Sequence, residues 1–234
     1  MKKSSLLELA YSVEPSDNYT SIISKFPTIR EKELVAMFCA WLSNETRGEY
    51  EALVSLLEDT MHGDPLSAVM AYDLDAKDLH TPCASFYRVF THEHLHILIV
   101  KAREIWFKKG GLYNLFMSYM NAEKNRCKYP HEALAKILGG GTCFPTRKTS
   151  GTFYRYNLLL YWLCYNLKIW DIAPYKPLLP CNDALFARAY SLGIINTQME
   201  SSLHSAVKLT EKAVCMFGEE NYMKMYELLK YAEI

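Results

Sequence analysis

An all-α fold follows from three features of the sequence. Apolar residues recur at helical spacing along most of the chain, and the alternation that marks strands is nearly absent. Gly and Pro fall between the periodic stretches rather than inside them. The 234 residues suffice for one domain or two small lobes with a real core. Half are hydrophobic and 22% are charged, a balance that argues against disorder.

Residues 30–45, REKELVAMFCAWLSNE, place Leu34, Phe38, Trp41 and Leu42 on one stripe. Residues 49–61 repeat the pattern with Leu53, Leu56, Leu57 and Thr60. Asp64-Pro65 opens a short helix, because Pro suits the first helical position. HEHLHILIVKAREIWFKK (92–109) predicts a long helix that Gly110-Gly111 ends. Further helices are expected over 112–122, 130–138, 151–168, 183–192, 198–217 and 219–231. That gives about nine or ten helices and little sheet.

Two punctuated stretches divide the chain. GGGTCFPTRKTSG (139–151) is a glycine-rich, basic loop leading into the helix expected from 151. IAPYKPLLPCND (172–183) is a Pro-stiffened connector that ends on Asn-Asp, a natural helix N-cap. The connector is taken as the boundary between two helical lobes. One lobe is 31–170; the other combines 1–30 with 171–234.

Seven Cys occur, at 39, 83, 127, 143, 164, 181 and 215, with no C-x-x-C pair and no zinc or iron–sulfur spacing. The odd count, and an opening stretch with two Lys but only a broken apolar run, predict reduced thiols in a cytoplasmic protein. No apolar run approaches the roughly 20 residues of a membrane span, so no membrane partner is expected. His92, His94 and His96 form an H-x-H-x-H run. Alternate residues of a helix point roughly 200° apart, so three ligands cannot converge there. No metal and no cofactor are expected, and capping or exposure is the default for these His. Cys39, Cys143 and Cys181 are read as structural, since a nucleophilic Cys needs a lowered pKa and no His–Cys pairing is legible.

The formal net charge is zero, yet the charge is unevenly placed. From Lys101 to Lys176 there are 13 Lys/Arg against 4 Asp/Glu; the remainder holds 13 against 22. A local excess of nine is the footprint of an anionic partner, and decorated helix faces are the plainer alternative. The 17 Tyr suit a packed helical core and also base-stacking surfaces.

Four segments carry a family resemblance: FPTIREKELVAMFCAWLS (26–43), FYRVFTHEHLHILIVKAREIWFKKGGLYNLF (86–116), SGTFYRYNLLLYWL (150–163) and LLPCNDALFARAYSLGI (178–194). In this order and spacing they are similar to the DUF2400 family, which resembles the helix-hairpin-helix DNA glycosylase superfamily. The resemblance covers most of residues 26–231. It implies a two-lobed, glycosylase-like architecture with a helix-hairpin-helix motif, and duplex DNA with a damaged or modified base as partner. Such enzymes flip the base into a cleft between lobes.

The resemblance also assigns roles. Arg147, Lys148, Ser150, Gly151 and Arg155 would hold DNA phosphate, with backbone amides at a helix start contributing. Trp41, Tyr87, Arg88 and Tyr154 are base-pocket positions, although Trp41 also sits on an apolar stripe that suits the core. The catalytic Asp position falls on Asn182 by the Leu192-Gly193 landmark, whereas Asp183 with Arg188 reproduces the superfamily's Asp-to-Arg spacing. Asp183 is taken as the catalytic carboxylate and Asn182 as its alternative; capping alone would also select Asn-Asp here. The position of the lyase Lys falls on Tyr154, and the C-terminal iron–sulfur loop is absent. The expectation is a monomeric, monofunctional DNA glycosylase without an iron–sulfur cluster, acting on a damaged or modified base such as one in foreign DNA. A DNA-binding relative that lost the chemistry is the alternative, and a helical scaffold protein the third.

Overall fold

The computed structural model describes residues 3–13, 18–42, 63–73, 85–87, 90–124, 127–139 and 151–232. Within them the chain is all-α apart from one short antiparallel pair. The helices are α1 (Lys3–Ser12), α2 (Asn18–Ser24), α3 (Ile29–Leu42), α4 (Pro65–Ala71), α5 (His92–Arg103) and α6 (Leu112–Met120). Then come α7 (Pro130–Leu138), α8 (Tyr154–Tyr161), α9 (Asp183–Ser191), α10 (Leu203–Phe217) and α11 (Lys224–Tyr231). Strands β1 (Ser85–Tyr87) and β2 (Phe90–Thr91) form the pair. No helix among the described residues is long and apolar enough to cross a membrane.

The core is built on α3 and α8, which pack together. From Leu34 to Trp41 every residue is buried, as is every residue from Tyr156 to Leu163. A helix apolar on all sides must be surrounded, and α2 and α4 lie against α3 while α7 lies against α8. Three carboxylates are buried among the described residues: Glu31, which accepts from the Thr28 N–H at 2.8 Å, Glu33 and Glu227. Glu33 accepts a 2.8 Å bond from Trp170 Nε1 and meets the backbone N–H groups of Leu112 and Tyr113 at the start of α6. Burial pushes the Glu33 carboxyl up, and these donors pull it part of the way back. Gly111, just before α6, has φ 111°, a conformation that favours glycine. Glu227 on α11 accepts from Tyr161 Oη and pairs with Lys224 at 2.6 Å.

Local chemistry sets most boundaries. Pro130 and Glu132 start α7; the Glu132 carboxylate accepts from the N–H groups of Lys128 and Tyr129. Thr91 caps α5, and His94 Nδ1 accepts the Thr91 N–H at 3.0 Å, so this His is a capping residue. Both α5 and α8 finish in a π-helical turn, over Glu104–Lys108 and Trp162–Asn166. Arg103 reaches across to the carbonyls of Val69, Met70 and Tyr72 at the end of α4. Arg30 does the same at Trp106, and Arg188 at Ala232, just past α11. These arginines satisfy carbonyls that a helix end leaves without partners.

Several expectations need correction. The helices α1 and α2 were not expected, because each is short and its apolar run is broken by polar residues; Leu6, Ala10, Ile22 and Ile23 are their buried anchors. The helix expected from 198 begins at Leu203, because Ser202 caps it by accepting from the Ser205 N–H at 3.1 Å. The helix expected from 151 begins at Tyr154, and that expected from 219 begins at Lys224. The helix expected over 49–61 lies outside the described residues.

Candidate functional site

Three helix starts meet at the C-terminal end of the basic loop. Gly151 lies so close to the backbone of Ser201 that a Cβ built on it would sit 2.6 Å from the Ser201 carbonyl oxygen. The next residue, Thr152, is buried and donates its hydroxyl to the carbonyl of Cys181. Its own carbonyl accepts from Asn157 Nδ2 at 3.1 Å. The entry to α8 is thereby fastened both to the entry to α9, at Cys181-Asn182, and to the entry to α10, at Ser201-Ser202. Phe153, the last residue before α8, adopts φ 54°, rare for a side chain of this size. Its ring stacks on the buried His131 at 4.6 Å, and His131 in turn stacks on Tyr129.

Beside this junction lies an open cavity of about 470 Å³. Asp183 and Ala187, one turn apart on α9, form one wall; Gln198, Met199, Glu200 and Ser201 form the other. Asn182 does not line it. The Asn182 side chain accepts from the Leu185 N–H at 3.0 Å and caps α9. Asp183 is the first residue of that helix, exposed, and at the positive end of the helix dipole.

A family model described as "Protein of unknown function (DUF2400)" matches residues 20–220. The chain belongs to this family. No curated protein and no solved structure matches it. The DUF2400 match takes in the whole junction, from Gly151 through Asp183 to Ser202.

The remaining positions singled out in the sequence are scattered. Trp41 is fully buried in the core, as its apolar stripe implies. Tyr87 lies on β1. Tyr154 packs its ring against the core, and its hydroxyl is shielded from solvent. Arg155, the second residue of α8, is half-buried. Arg88, Arg147, Lys148 and Ser150 lie outside the described residues, as does Cys143. Cys39 and Cys181 are buried, and burial pushes the Cys181 thiol up, which makes it inert.

The wall from Gln198 to Ser201 was missed by sequence reasoning, because those residues were assigned to a helix. The pair Ser201-Ser202 was the available signal, since Ser is a favoured N-cap. A second cavity of about 250 Å³ lies where the π turn of α8 presents Cys164 and Tyr165 toward Trp170 and Lys176. Burial pushes the Cys164 thiol up to about 12, so it offers no ready nucleophile. Lys176 is paired with Glu219 at 2.6 Å.

Proposed function

We propose that this protein is a monofunctional DNA glycosylase that hydrolyses the bond between an altered base and its deoxyribose. The observation that carries the reading is the placement of Asp183. It is an exposed carboxylate at a helix start, and it lines a cavity together with Ser201, against which Gly151 lies, the last residue of the stretch that the glycosylase resemblance assigns to DNA phosphate. In this reading the two lobes divide at 172–183, the hairpin is the segment 150–163, and the basic stretch ending at Gly151 grips the backbone. Asp183 would stabilise the sugar cation as the base departs and take up the proton of the attacking water. Tyr154 offers no lyase amine, so in this reading water is the nucleophile.

The test is release of free bases from a panel of modified duplex DNAs, read by mass spectrometry. Asp183→Asn should lower release at least about a hundredfold and leave DNA binding intact. Unchanged release in that variant sinks the assignment.

One observation favours a second reading, a DNA-binding protein that kept the architecture without the chemistry. Asn182 stands where the Leu192-Gly193 landmark puts the catalytic Asp, and its side chain is committed to capping α9. Salt-sensitive binding to duplex DNA, with no base released from any substrate, would select this reading.

A further inference from the structure

Six large apolar side chains stand exposed among the described residues, and backbone bonds gather four of them where α3, α4 and α5 meet. They are Ile29 at the start of α3, Met70 near the end of α4, Val100 on α5 and Phe107 on the π turn that closes α5. Two arginines tie these elements together. Arg103 of α5 donates to the carbonyls of Val69, Met70 and Tyr72, which fixes the end of α4 beside it. Arg30 of α3 donates to the carbonyl of Trp106, which brings Ile29 up to the π turn. Val100 and Phe107 lie one turn to either side of Arg103 and share its side of the helix. The π turn keeps Trp106 in the core and leaves its neighbour Phe107 44% exposed.

The rim of this face is positive. Both guanidinium groups are bonded to carbonyls and not to carboxylates, so their charge stays uncompensated. Glu31, the neighbour of Arg30, is buried and turned to Thr28. Lys109 pairs with Glu104 at 2.6 Å and Lys101 stands 3.9 Å from the same carboxylate, which leaves Lys108 without a carboxylate of its own. Asp73, just past α4, offsets one charge, and the balance remains positive.

We infer that this face docks an acidic segment of another protein, one that lays bulky apolar side chains on Phe107 and its neighbours and sets Asp or Glu against the rim. Apolar contact at the centre supplies affinity, and the rim selects the partner's charge. Anchors held by backbone bonds between three elements are preorganised, so little freedom is lost on binding. A nucleic acid would meet the rim and leave the apolar centre in water. A second copy would bring two positive rims together. A bilayer anchor reaches roughly 5–10 Å into the headgroups, whereas these four side chains are only 43–54% exposed. The docking does not depend on the glycosylase chemistry.

The test is selection of displayed random peptides of about 16 residues, long enough for four helical turns, on the full chain. Peptides kept by the wild type should combine bulky apolar residues with an excess of Asp and Glu. The strongest of them, synthesised with a fluorescent label, should bind more weakly as salt rises. Phe107→Asp should weaken that binding at least about tenfold and Lys108→Glu about three- to fivefold, with Tm unchanged, because both residues are exposed. The same charge reversal at the exposed Lys212 on α10 should leave binding as it was. Failure to retain any peptide, selection without an acidic excess, or indifference to Phe107→Asp overturns the docking. A wild-type dimer that Phe107→Asp dissolves also overturns it and assigns the face to a second copy. Binding to phosphatidylglycerol vesicles that Phe107→Asp abolishes overturns it in favour of a membrane.

Discussion

The α3–α8 core and the junction of Gly151, Asp183 and Ser201 are built on opposite terms. In the core, Leu34–Trp41 and Tyr156–Leu163 are buried on every face, and side-chain volume does the fixing. At the junction the fixing is done by close backbone contact and a few short polar side chains: a carbonyl against Gly151, the Thr152 hydroxyl on the Cys181 carbonyl, and the Asn182 and Ser202 caps at the starts of α9 and α10. Asp183 and Glu200 take no part in these contacts and face a cavity. The contrast separates residues whose loss should cost folding from residues whose loss should cost activity.

The largest effect on stability should come from the core. Trp41→Ala removes a fully buried indole and should destabilise by about 3–5 kcal/mol, read as a lowered denaturant midpoint. A cost under about 1 kcal/mol would break the contrast. Gly151→Ala places a methyl 2.6 Å from the Ser201 carbonyl and should cost about 1–3 kcal/mol. It should also disturb the cavity wall, so on the proposed function base release falls further than Tm does.

Thr152→Val removes the donor to a buried carbonyl and should cost about 1–2 kcal/mol. If Thr152 sets the position of α9 relative to α8, that variant loses base release while Cys181→Ala, which keeps the carbonyl, retains it. The smallest effect is a change of slope. Burial raises the Glu33 carboxyl above its unfolded value, so the native state binds the extra proton between the two. Stability from this group is therefore highest below the unfolded value and falls as pH rises through the folded one. Glu33→Gln should flatten that part of the stability–pH curve, and an unaltered slope would remove Glu33 as its source.

The same contrast governs what the sequence made legible. The helix over 130–138 and the start at 183 were readable because Pro130 and the Asn182 cap are local signals. The burial of Leu34, Phe38 and Trp41 was readable from their spacing. The π turns closing α5 and α8 leave no local signature. The wall from Gln198 to Ser201 was hidden because helical spacing continues upstream of the cap, and only Ser202 decides where the helix begins. Among the site residues, the neighbourhood of Asp183 and Gly151 could be anticipated from resemblance. Glu200 could not, since nothing in spacing relates it to Asp183 before α10 is placed.

One pairing in the fold bears on how the protein is made. Helix α1 packs on α11, and Tyr11 of α1 meets Phe217 of α10 edge to face at 6.3 Å. Leu6 and Ala10 of α1 are buried although α1 and α11 are far apart in sequence, so this contact closes a long loop, and long-range contacts of that kind are slow to form.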